Sequence, residues 1–316
     1  MKILIIGGTR FLGKLVVFEL RKLGHELTVI SRRKLDYDPQ IRYIKGERSG
    51  VLDSLNGEAF DLVLDFICYS ADALDDVKRN IKAANYVLIS STWVPKLWSG
   101  ITATELVNGS YSQSNLLPDV TLGYLNGKLS AEQGLVTLKS HIENFVALRL
   151  PIILGNEDHT GRTDFYVTRI CDGKPIILVN GGENIAQVAA LESLASAIAI
   201  WSTTIDLGKE LIWEGLPHDR RSVRDIIVDI AKSIGTEPQF VSVDEDDLRE
   251  KLPKYLEKEP LWRESALSIT EANIFTAIKL KPKPFGKLTR YTKRSETLCD
   301  LDRILEINFV KGFARA

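Results

Sequence analysis

The chain opens on Ile3-Leu4-Ile5-Ile6, four consecutive apolar residues. An unbroken run of this kind predicts a strand buried on both faces of a parallel sheet. After a glycine-rich turn, Leu15, Val16, Phe18, Leu20 and Leu23 recur at helical spacing, and Gly24 ends that helix. Leu27–Ile30, Asp61–Asp65, Tyr86–Ile89 and Phe145–Leu148 predict four further strands, with helical stretches near 71–84 and 128–141. Strand and helix alternating in this order predict an α/β fold with a doubly wound parallel sheet.

The pattern changes near residue 155. Short strands at Pro175–Val179 and Leu211–Trp213 sit among longer helices, one apolar near 191–202. Asp244 to Tyr255 reads as an acid-capped surface helix. The expected division is a nucleotide-binding domain over 1–155, with the 185–202 segment added to it. A smaller, mixed α/β C-terminal lobe for substrate then covers 156–316.

Composition narrows this picture in three ways. Apolar residues make up 44% and charged residues 26% of 316, enough for an ordinary core. The net charge of -1 supplies no global field for nucleic acid or an anionic membrane. Cys68, Cys171 and Cys299 are widely spaced, and the four histidines do not cluster, so neither a disulfide framework nor a metal site is expected. No apolar run approaches the length of a membrane span, and the expected location is cytoplasmic.

The turn after the first strand carries the clearest chemistry. Gly7-Gly8-Thr9-Arg10-Phe11-Leu12-Gly13 lies between a buried strand and an amphipathic helix, where free N–H groups face a dinucleotide diphosphate. Gly8 to Lys14 nearly spells a triphosphate-binding loop, but Leu15 replaces the hydroxyl residue that binds magnesium. The second strand ends Ser31-Arg32-Arg33 where NAD sites place a carboxylate. Guanidinium groups suit a 2′-phosphate, and Arg10 reaches the same corner, so NADP is expected over NAD.

The string GGTRFLG resembles the turn of the extended short-chain dehydrogenase/reductase superfamily, in its sugar-nucleotide epimerase/dehydratase branch. It matches an atypical subgroup in which arginine replaces the central glycine, and which includes chloroplast stem-loop RNA-binding proteins. The resemblance implies a Rossmann domain with Tyr124 as general acid/base and Lys128, one helical turn later, holding the ribose and polarising Tyr124. It implies that Ser91 orients the substrate hydroxyl, with Thr92 as the alternative. Ser90 would lie toward the cofactor, Pro151 would contact the nicotinamide, and Glu47 or Arg48 would lie near the adenine. Trp93-Val94-Pro95 carry no carboxylate after these hydroxyls, which argues against simple dehydration.

Lys96–Gly123, including Glu105, is a long polar insertion expected to cover the site. Gly155–Arg162, with His159, is a polar loop suited to substrate. The expected activity is hydride transfer at a hydroxyl or keto carbon of a small, sugar-nucleotide-like substrate, as a reductase or epimerase. A homodimer is common among the resembling proteins. Lys279–Arg294 holds seven basic residues and no acid. That segment keeps open a non-catalytic RNA-binding or regulatory protein on the same fold.

Overall fold

A computed structural model describes residues 1–33, 38–96, 119–204, 212–214, 220–261 and 301–313. The basic segment 279–294, and Glu105 with most of its insertion, lie outside these residues. The described chain forms two compact units. The first holds 1–151 with the described residues from 194 to 214; the second holds 152–193, 220–261 and 301–313.

The first unit is built on a seven-stranded parallel sheet. Its strands are β1 (Lys2–Ile6), β2 (Glu26–Ser31), β3 (Arg42–Lys45), β4 (Ala59–Asp65), β5 (Lys82–Ser91), β6 (Ile142–Leu150) and β10 (Ile212–Glu214), in the order β10-β6-β5-β4-β1-β2-β3. Ile3 to Ile6 are fully buried, as an unbroken apolar run requires. Among the helices of this unit are α1 (Phe11–Lys22), α2 (Ala73–Asn80) and α3 (Asp119–Gly134). Leu74 and Val77 of α2, and Ala131 of α3, share one core with Leu4, Val63, Leu88 and Ala147 of the sheet. The chain runs outward from β1 through β2 and β3, then returns to β4 on β1's other side. That reversal opens a crevice at the carboxyl ends of β1 and β4, where open α/β sheets bind ligands.

Three expectations change here. The pattern assigns the strand at Leu211–Trp213 to the smaller lobe, yet Ile212–Glu214 pairs with Ala147–Arg149 as the sheet's seventh strand. A three-residue strand is too short to signal which sheet it joins; only the exposed edge of β6 decides that. The helix expected at 128–141 begins earlier, at Asp119, and tightens into a 3-10 turn over Leu135–Ser140. Tyr124 therefore lies in its second turn. The 185–202 segment divides. Ile185–Ala190 is a strand of the second unit, whereas α5 (Leu191–Thr204) counts with the first from Leu194 onward.

The second unit contains a three-stranded sheet of β11 (Arg220–Ser222), β9 (Ile185–Ala190) and β7 (Ile152–Leu154), in that order. A parallel pair, β8 (Ile176–Val179) and β12 (Phe240–Val243), stands beside α4 (Arg162–Cys171) and α6 (Val223–Ile234) in the same unit. The acid-capped helix is two helices, Glu245–Lys251 and Pro253–Lys258. Pro253 lacks the N–H that a continuous helix needs, but it fits the first position of a new one. Helix α7 (Leu301–Phe313) is fastened by charge: Arg303 binds Asp172 at 2.8 Å and Glu306 at 3.0 Å, and Arg169 also binds Glu306. Asp158 of the Gly155–Arg162 loop turns inward, accepting the Thr163 N–H at 3.0 Å. Among the described residues no helix is long and apolar enough to cross a membrane.

Candidate functional site

The glycine turn is close-packed, and each glycine has its own reason. Gly7 has φ +94°, and a Cβ there would lie 2.6 Å from Ile67 in the loop after β4. A Cβ on Gly8 would lie 2.6 Å from Ile5 and 2.8 Å from Val17. On Gly13 it would lie 3.0 Å from the Gly8 backbone, so α1 can sit this close to the turn only without a side chain. Arg10 has φ -140° and ψ 152°, an extended geometry open to any residue. The central position therefore does not require glycine, and the exposed Arg10 side chain fits without strain. The left-handed backbone falls on Phe11 instead, at φ +43°. Helix α1 starts with no side-chain cap and no acid in its first turn, which leaves its positive end suited to an anion.

At the carboxyl end of β2, the Thr9 and Ser31 hydroxyls lie 2.5 Å apart, and Ser31 Oγ accepts the Arg33 N–H at 3.3 Å. These contacts join the second strand's end to the glycine turn. Arg32 and Arg33 are exposed, and Arg32 lies 4.0 Å from the equally exposed Glu47. Arg48 is not at the surface. It binds Asp65, the last residue of β4, and donates to the Ala73 carbonyl at 2.9 Å. Tyr86 donates to the same carboxylate at 2.7 Å. Burial opposes the charge on Arg48, but Asp65 more than restores it and holds the guanidinium above its ordinary value.

Helix α3 carries the Tyr124–Lys128 pair and places its members in different surroundings. Tyr124 is 43% exposed, whereas Lys128 is 1% exposed. Lys128 Nζ donates to the Ile89 carbonyl at 2.7 Å and to the Phe66 carbonyl at 3.4 Å. Burial draws the Lys128 ammonium down to about 8, against the opposing pull of Asp65, Cys68 and Glu132. The Tyr69 ring lies between the pair, its centroid 4.3 Å from Lys128 Nζ and 5.8 Å from the Tyr124 ring. One turn beyond Lys128, Glu132 accepts from Arg149 of β6 at 2.6 Å and 3.0 Å, and from the Ser90 hydroxyl.

The hydroxyls ending β5 separate by strand alternation. Ser90 is buried and its hydroxyl donates to Glu132. Thr92 is also buried, and its hydroxyl donates to the Leu150 carbonyl at 3.3 Å. Ser91, half-buried, accepts the Trp93 N–H at 3.2 Å and is the hydroxyl left at the site's margin. Pro151 is buried where the first unit passes to the second. Asp65, Tyr69, Tyr86 and the Glu132–Arg149 pair went unread in the sequence. The one available signal was the acid ending β4 inside an apolar run.

No family model matches the sequence. The chain is 28% identical over 221 residues to the chloroplast stem-loop binding protein of 41 kDa b from Arabidopsis thaliana, matching 62% of this chain. It spans about half of that protein, 53% of its length. The structure is similar to UDP-glucose 4-epimerase of Thermus thermophilus in complex with NAD, with a TM-score of 0.60 and 15% identity, covering 92% of this chain and 97% of that one. It is similar to the UDP-glucuronic acid 4-epimerase of Bacillus cereus in complex with NAD, with a TM-score of 0.57 and 16% identity over 87% and 95% of the two chains. The fold is similar to that of these solved epimerases, the fold class that the resemblance of the GGTRFLG turn implies.

Proposed function

We propose that this chain, with the extended short-chain dehydrogenase/reductase fold as its premise, is a nicotinamide-dinucleotide-dependent oxidoreductase of sugar-nucleotide epimerase type. The observation that carries the reading is the glycine turn. Gly7, Gly8 and Gly13 each stand where a Cβ would meet another atom at 3.0 Å or less, at the mouth of the crevice between β1 and β4. That cradle fits a dinucleotide diphosphate, with the start of α1 facing its charge. The solved epimerases of the same fold are described with NAD and UDP-sugars, which supports the cofactor and substrate class.

A bound nicotinamide supplies the hydride acceptor or donor. The protein's own residues do the rest. Ser91 holds the substrate oxygen, and the Tyr124 hydroxyl takes or returns the proton on that oxygen. Lys128 would hold the ribose, its ammonium kept dry beside the Ile89 and Phe66 carbonyls. The buried Asp65 carboxylate helps keep Lys128 charged.

NADP is the preferred cofactor in this reading, because Arg10, Arg32 and Arg33 are exposed and β2 ends in Ser31 rather than an acid. Titration of intrinsic fluorescence is expected to show NADPH binding about tenfold more tightly than NADH, the scale of one charge-assisted contact. Arg32→Ala is expected to remove most of that difference. Equal affinities, or tighter NADH, would overturn the preference; no binding of either would overturn the cofactor reading.

A second reading, RNA binding without turnover, is supported by the likeness to a protein described as binding a stem-loop. It relies on Lys279–Arg294. A hairpin complex that persists near physiological salt and is lost on replacing Lys279, Lys281 and Lys283 by Gln would establish it. The oxidoreductase reading expects only weak, salt-sensitive association in that assay.

A further inference from the structure

An ammonium has three N–H donors. Two of those on Lys128 go to the carbonyls of Ile89 and Phe66, and the Tyr69 ring lies 4.3 Å from its nitrogen. With the ring in this place Lys128 is 1% exposed, while Tyr69 itself is 46% exposed. The Tyr69 ring thus touches the buried ammonium while the ring's own residue stays half open to solvent.

The backbone under Tyr69 is pinned on both sides. Phe66 N–H donates to the Ile6 carbonyl at 2.9 Å, and Ala71 N–H donates to Ser130 of α3 at 3.1 Å. Gly127, in the turn between Tyr124 and Lys128, admits the loop: a Cβ there would lie 2.7 Å from the Tyr69 carbonyl oxygen. A fixed backbone with a half-exposed side chain leaves rotation of that side chain as the motion available.

We propose that Tyr69 is a positioning residue of this site, a side-chain lid that holds the Lys128 ammonium dry and swings aside when a ribose takes its place. The inference rests on the dinucleotide reading above, and it adds a gate to it. The ring's work is done by its face, through cation–π attraction and exclusion of water, and needs no hydroxyl. The charged and titratable groups facing Lys128 are Asp65 and Cys68 from β4 and its loop, Arg48 beside Asp65, Glu132 on α3, and Tyr69.

The test is lysine acetylation in the ligand-free protein with limiting acetic anhydride, read at the Lys128 peptide by mass spectrometry from pH 6 to 10. In the wild type Lys128 is expected to react slowly even at pH 10. In Tyr69→Ala it is expected to react about tenfold faster at pH 10, with its labelling midpoint moved up toward an ordinary lysine. Tyr69→Phe is expected to behave as wild type, and Tyr69→Leu to fall between. NADPH is expected to protect Lys128 in Tyr69→Ala. Unchanged labelling in Tyr69→Ala, or a Tyr69→Phe variant that labels as fast, overturns the lid. Faster labelling with no protection by NADPH or NADH overturns the dinucleotide reading instead.

Discussion

Replacing Glu132 by alanine is expected to destabilise the protein by about 3–5 kcal/mol, measured as a shift in urea unfolding. Glu132 and Arg149 have side chains only 4% and 7% exposed. Arg149 donates to both carboxylate oxygens, through Nε at 3.0 and 3.2 Å and Nη2 at 2.6 Å. Removing the carboxylate takes the Glu132 charge away from a guanidinium in a dry site, and takes the Glu132 acceptor from Ser90. The Coulomb gain within such a pair is largely offset by desolvation, so replacing both members by apolar residues costs far less than removing one. The double variant Glu132→Leu with Arg149→Met is therefore expected to recover most of the loss. A single-variant effect below about 1 kcal/mol, the scale of an exposed ion pair, would show that Arg149 finds compensation elsewhere. The consequence reaches the site. Glu132 lies on the helix that carries Tyr124 and Lys128, and its pairing fixes that helix against β5 and β6.

Tyr124→Phe is expected to lower kcat by about 10²–10⁴, the usual contribution of a placed proton donor. The change removes one hydroxyl from a side chain that is 43% exposed, so stability is expected to move by less than about 0.5 kcal/mol. Lys128 and the glycine turn are untouched, so NADPH affinity is expected to stay within about twofold. The measurement is steady-state turnover of whichever nucleotide sugar the wild type accepts, beside a cofactor titration of both proteins. Retained kcat would remove Tyr124 from the chemistry. Lost affinity would instead make it a cofactor contact.

The two substitutions differ in how their sites become visible. Tyr124 and Lys128 stand out because four residues of helix bring their positions to one face. Glu132 and Arg149 carry no such mark, since nothing in Ile142–Leu150 states that its arginine will find an acid on α3. The expected roles of Ser90, Ser91 and Thr92 show the same limit. Three adjacent hydroxyls read alike in the sequence. Strand alternation and the neighbours of each face send Ser90 to Glu132 and Thr92 to Leu150, leaving Ser91 at the margin.

By itself the sequence determined what depends on local patterns. The apolar run of β1, the glycine turn and the periodicity of α1 fall within the first 22 residues, and each states its own conformation. The alternation of strands and helices likewise determined the parallel sheet. Only the tertiary structure decided that Ile212–Glu214 joins that sheet, that Arg48 pairs with Asp65, and that Tyr69 lies over Lys128. The physical reason is range. Periodicity and backbone angles are properties of neighbours along the chain. An ion pair or a covering ring depends on strand order and on where distant loops are pinned, and these are settled only when the whole unit packs.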